Sequence, residues 1–134
     1  MVIKALTVKQ PFTTYIVNGV KTEEYRHRAT LYRGPLLICS SKIPFDDDLD
    51  PKVFPNGMAL GMVDLVDCRP IIRRSKYGFR YAWILAQAQE IEPFPISGRP
   101  GIFEVKLEQI PEHLRDSIQA RLAAFHRADA LLGD

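Results

Sequence analysis

Gly19-Val20-Lys21-Thr22-Glu23-Glu24-Tyr25-Arg26, running on to Tyr32-Arg33-Gly34, is the stretch on which the fold turns. Just before it, Phe12, Tyr15 and Ile16 recur at helical spacing behind Pro11, and Asn18-Gly19 is a C-terminal stop signal. That predicts a helix of roughly two turns, too short to stand on propensity and therefore held by packing. Lys21 to Arg26 then reads as a strand. Alternation places Glu24 and Arg26 on one face, with Lys21 at the strand's mouth on a stem long enough to reach the same side. An amine, a carboxylate and a guanidinium beside a short apolar helix define a polar pocket. It suits a base, a phosphate or a small amide.

Outward from this stretch, the pattern is mostly extended. Ile3 to Val8 reads as a first strand, and Leu36-Leu37-Ile38-Cys39-Ser40 as a short strand of the fully buried kind. Residues 42–57, rich in Asp and Pro, form a long irregular excursion. Met58 to Cys68 alternates like a strand, with Gly61 marking a bulge or the close approach of another backbone. Residues 69–80 read as a basic loop, Tyr81 to Ile91 as a long strand, and Pro93 to Gly101 as a turn-rich connector. Ile102 to Leu107 is the last strand. From Pro111 the period changes, and Leu114, Ile118, Leu122 and Phe125 form one apolar stripe. This predicts a C-terminal helix over 108–134 that crosses the end of the sheet and frays near Gly133. The fold class expected is mostly β with flanking helices (α+β). Its architecture is a mostly antiparallel barrel of about six strands, built as a single domain over residues 1–134.

Length and composition allow one such domain: 134 residues, 46% apolar and 25% charged. No apolar run approaches the roughly 18–20 residues of a bilayer span, and the N-terminus alternates instead of forming the apolar block of a signal peptide. Cys39 and Cys68 lack metal or redox spacing and read as buried free thiols. Together these point to the cytoplasm. The net charge of +2 conceals a partition. Residues 1–34 carry six basic and two acidic side chains, and residues 69–81 five basic and no acidic ones. Residues 42–67 hold six aspartates against two lysines. Two concentrated basic segments suit an anionic ligand docked on one side.

Within those segments, Lys21 and Glu24 form a candidate acid/base pair. Glu24 has three open readings: a structural ion pair with Arg26, recognition of a ligand's amino group, and orientation of a water for attack. Arg33, at a sharp turn, can fork onto phosphate or onto a carboxylate. Gln10 can read a base edge or stabilise the turn into the first helix. In Arg73-Arg74-Ser75-Lys76-Tyr77-Gly78-Phe79-Arg80, cations interleave with aromatics, as in surfaces that hold single strands; Arg74, Lys76 and Tyr77 are the candidates. A solvated loop with Phe79 in the core is the alternative. Trp83 is either core or stacking platform, and Arg99, on a stiff loop, either contacts phosphate or is simply exposed. The scattered His27, His113 and His126 argue against a metal site, and no Gly-rich nucleotide loop is present. No metal or cofactor is expected.

Taken in order, Leu6-x-Val8-x-Gln10-Pro11, Gly19-x-Lys21-Thr22-x-Glu24-x-Arg26, Tyr32-Arg33-Gly34, Gly61-x-Val63-Asp64-Leu65-Val66, Tyr81-Ala82-Trp83-x-Leu85 and Pro93-x-Pro95-x-x-Gly98-x-x-Gly101-x-Phe103 resemble the ASCH family over about residues 3–107. The resemblance implies a PUA-like β-barrel with a cleft beside the first helix that binds RNA or a nucleotide. Relatives include RNA-binding modules, a ribonuclease and amidohydrolases that deacetylate N-acetylated cytidine. Lys21 matches the amidohydrolase lysine, whereas Glu24 stands where that branch has a threonine. The expectation is therefore an RNA- or nucleotide-binding protein, with single-stranded RNA, a nucleoside or a nucleotide as partner. The alternative is a metal-independent hydrolase using the same cleft.

Overall fold

A computed structural model describes residues 1–73 and 75–132. Six strands and two α-helices follow in the order β1 (Val2–Val8), α1 (Phe12–Val17), β2 (Glu23–Arg26), β3 (Gly34–Ser40), β4 (Met58–Pro70), β5 (Tyr81–Pro95), β6 (Ile102–Lys106) and α2 (Glu112–Leu132). They build one sheet ordered β2-β5-β4-β3-β1-β6. It is antiparallel except between β1 and β3, where Ala5 pairs with Leu37 and Thr7 with Cys39. The mostly β, α+β architecture expected from the sequence is the one observed.

Both faces of this sheet are covered, which explains the unbroken apolar run of β3. Leu36 and Ile38 join Leu6, Val8, Ile16, Val17, Val63 and Leu85 on the side of α1. Leu37 and Cys39 point the other way, to Ile3, Ala5, Met62, Phe103, Val105 and Ile118 of α2. Each buried Leu or Ile contributes on the order of 1.5–3 kcal/mol, so the central strand anchors both half-cores.

Helix α1 ends where its sequence says: Gly19 adopts φ +84 and its N–H donates to the Ile16 carbonyl. The start is tied by Thr13, whose hydroxyl donates to the Val8 carbonyl at 2.5 Å. Val17 lies directly over Gly61, whose missing side chain also lets the Gln89 carbonyl approach. The register of β4 against β5 shifts at this point, so Gly61 marks both a bulge and a close approach.

The main differences from expectation lie in β2, β5 and α2. The strand read over 21–26 contains only Glu23–Arg26, because the Lys21 N–H is taken by the Tyr15 carbonyl at 2.8 Å. β5 continues through Pro93 and Pro95, since β2 pairs only with Tyr81 to Ile84 and β5 is an edge beyond it. And α2 packs on the face of the sheet, not across its end; Ile118 is buried in the core, with Leu114 and Leu122 packed beside it. Gly133 lies outside the described residues.

Arg121 rivets α2 in place. Its guanidinium reaches Asp64 of β4 at 3.2 Å and donates to the carbonyl of Gln87, the residue at φ +55 where β5 bulges. Arg121→Ala leaves a largely buried aspartate without its partner and should cost about 2 kcal/mol. Urea unfolding measures this; an unchanged midpoint would mean that the pair does not hold the helix.

Candidate nucleic-acid interface

The turn after α1 and the short strand β2 set the floor of an open cleft of about 1690 Å³. β2 pairs with β5 so that Glu24 lies opposite Trp83. Glu24 is 8% exposed, the only carboxylate among the buried residues described. Its two oxygens are shared between cations: Arg26 Nη1 at 3.3 Å and Lys21 Nζ at 4.0 Å. Lys21 also donates to the Glu23 carbonyl and lies over the ring of Tyr25, 4.4 Å from its centroid. Arg26 stacks on Trp83 at 5.4 Å, and the indole N–H donates to the Arg28 carbonyl at 3.0 Å. Trp83 is thus a core residue with one face on the cleft.

Burial perturbs both members of the charged pair in opposite senses. It raises the Glu24 carboxyl above its ordinary value, against the pull of Arg26 and Lys21. It lowers the Lys21 ammonium, against the attraction of Glu24 and Glu23. Each charge is therefore held at a cost that a ligand's complementary group can relieve.

Around this floor runs a chain of aromatic rings drawn from four separate segments. Phe12 of α1 meets Phe45 at 5.2 Å, Phe45 meets Tyr77 at 6.2 Å, Tyr77 meets Phe79 at 5.9 Å, and Phe79 meets His27 at 4.8 Å. Phe45 and Tyr77 are more than half exposed. His27 Nδ1 lies 3.1 Å from the Gly78 carbonyl, which ties the basic loop to the end of β2. Among the described residues, eight Lys or Arg side chains line the cleft against one carboxylate, Glu24.

Of the residues singled out from the sequence, Lys21, Glu24, Arg26, Lys76, Tyr77 and Arg99 line this cleft. Arg74 lies outside the described residues. Two do not join them. Gln10 is fully buried, its amide donating to the Pro55 carbonyl at 2.9 Å and accepting from the Thr14 N–H at 3.1 Å. It caps α1 and holds the 42–57 excursion, so the turn-stabilising alternative is the observed one. Arg33 turns back on its own loop, donating to the carbonyls of Thr30 and Tyr32 at 2.8 Å each, with Asp67 at 4.0 Å. Besides Arg26, the guanidinium groups on the cleft wall among the described residues are those of Arg28, Arg73 and Arg99. Phe45 went unrecognised because it sits in an acidic, proline-rich excursion. That excursion folds back through the Phe45 N–H, which donates to the Gln10 carbonyl at 2.8 Å. Its one visible signal was an aromatic ring between Pro44 and the aspartates.

The protein is thus a β-rich domain with a cationic, aromatic-rimmed cleft beside its first helix. The chain belongs to the ASCH domain family, whose model matches residues 6–95. Similar proteins include Activating signal cointegrator 1 of Homo sapiens, 29% identical over 127 residues, covering 75% of this chain and 22% of the relative. The Mus musculus protein of the same name is 29% identical over 128 residues, with the same coverage. The chain therefore spans about a fifth of the length of these curated relatives. No helix among the described residues is long and apolar enough to cross a membrane.

Proposed function

We propose that this ASCH domain binds single-stranded RNA, or a nucleotide presented as part of it, in the cleft between α1, β2 and the 71–80 loop. The observation that carries this is the composition of the wall: eight cations, one buried carboxylate and an unbroken series of rings. Cations attract phosphates without regard to sequence, rings stack on bases, and a carboxylate accepts from an exocyclic amino group. Lys21, held between Tyr25 and Glu24, contacts the ligand at the floor, and Lys76, Tyr77 and Arg99 extend the surface for the backbone. The binding constant should fall with salt by about 0.7 log units per log unit for each phosphate neutralised. Lys21→Ala should weaken single-stranded RNA binding about tenfold by fluorescence anisotropy, since it removes a partly desolvated charge. Affinity unchanged by that substitution would refute the assignment. We place the protein in the cytoplasm, in keeping with two free thiols, of which Cys39 is pushed up to about 12 by burial.

A second reading, a metal-independent hydrolase, is favoured by one feature: the opposite perturbations of Lys21 and Glu24 across 4.0 Å. In it the pair exchanges a proton and orients water toward the amide of an N-acylated cytidine-type nucleoside, or assists the 2′-hydroxyl of single-stranded RNA. Turnover that survives a chelator and disappears in Glu24→Gln supports it; no product across both substrate classes rejects it.

A further inference from the structure

A second recess of about 600 Å³ lies beside β6, walled by Phe103, Glu104, Val105 and Lys106. It adjoins the main cleft: Lys42, Ser97 and Arg99 line both. The loop that carries Ser97 and Arg99 is pressed onto β1 at Gly98, where a side chain would meet the Thr7 hydroxyl at 2.3 Å. That hydroxyl is buried, with no hydrogen-bond partner among the described residues, and Thr7 lines the cleft at this junction. Three cations, Lys42, Arg99 and Lys106, face the second recess. Its one carboxylate, Glu104, is paired with Lys4 at 3.0 Å, so the recess keeps a positive balance.

We infer that the two recesses form one continuous track for a strand of several nucleotides, which enters over β6 past Lys106 and crosses Lys42 and Arg99 to the Lys21–Glu24 floor. The inference rests on the RNA reading above and specifies its ligand: a polynucleotide, not a free mononucleotide. Size supports this. The main cleft alone, at about 1690 Å³, exceeds the roughly 300–1,000 Å³ of pockets that enclose a small molecule. Charge supports it as well, because cations spaced along a groove match a repeating phosphate backbone, whereas one nucleotide engages one end only.

The test uses the full chain and uridine homopolymers of about 4 and about 12 nucleotides, with affinity read by fluorescence anisotropy at several salt concentrations. The longer strand is expected to bind at least tenfold tighter. Lys106→Glu, at an exposed position, should weaken the longer strand about fivefold, flatten its salt dependence and leave the shorter unchanged. Equal affinity for the two lengths would overturn the track and leave the nucleotide site standing. A Lys106→Glu variant that affects both lengths alike, or neither, would also overturn it. Displacement of the longer strand by an equal concentration of polyglutamate would replace RNA with an acidic protein partner. Binding of neither length by the parent protein would remove the RNA reading itself, and the track with it.

Discussion

Replacing Glu24 with glutamine is expected to weaken RNA binding about tenfold or more while leaving the fold at least as stable at neutral pH as the parent. The two effects part company because of where the carboxylate sits. Burial raises its pKa despite Arg26 and Lys21, so the folded chain binds this proton more tightly than the unfolded chain does. Its contribution to stability is fullest below the ordinary value of 4.5 and declines as pH rises through the raised folded value. Lys21 runs the opposite way: held below 10.5, it contributes most above that value and loses stability as pH falls through its lowered one. Above its raised folded value the carboxylate is a desolvated anion whose removal relieves that cost, and there the glutamine variant gains. The difference in melting temperature, variant minus parent, should be largest near neutrality and shrink toward pH 4.5. If Glu24 were a structural ion pair for Arg26, the variant would instead lose stability at neutral pH and keep its affinity. Thermal melts across pH, with anisotropy on the same samples, separate the two.

Gly61→Val is expected to cost about 3 kcal/mol or more, beyond the usual range for an overpacked core. A Cβ at this position would lie 2.4 Å from the Gln89 carbonyl oxygen and 2.7 Å from Cβ and Cγ1 of Val17. Neither neighbour can yield cheaply, one being the backbone of a paired strand and the other a β-branched side chain buried in α1. Moving α1 away would also carry off Phe12, the first ring of the cleft rim. Gly101→Ala is the useful comparison. There φ is +68 but nothing lies within 4 Å, so only backbone strain of about 1 kcal/mol is at stake. Urea denaturation of both variants measures the gap. Equal losses would mean that α1 does not rest on β4 as described.

Those two positions also show how far the sequence could be read. Gly61 was legible because a glycine interrupting an alternating apolar strand has few other causes. β3 was legible because a run without alternation requires burial on both faces. The stripe from Leu114 to Phe125 declared α2, although not which surface would receive it; that depends on Arg121 finding Asp64, a contact 57 positions apart that leaves no local trace. Local alternation brought Glu24 and Arg26 to one face. It could say nothing about Arg33 and Gln10, whose polar groups are taken up by nearby carbonyls and by the turn into α1 before any ligand is offered them. The aromatic rim was legible only at Tyr77, in the basic loop. Phe12, Phe45 and His27 come from three segments of ordinary appearance, assembled by backbone hydrogen bonds such as Phe45 to Gln10. The parallel β1–β3 pairing was equally silent, since a strand's apolar pattern does not encode its direction.

Titration of the isotopically labelled chain with single-stranded RNA, followed by amide chemical shifts, tests the gathering of charge and rings most directly. The largest changes should fall on residues 21–28, on the 75–79 loop and on the Trp83 indole N–H. Changes confined to α2 or to the outer strand surfaces, with the Lys21–Arg26 amides unmoved at saturation, would contradict it.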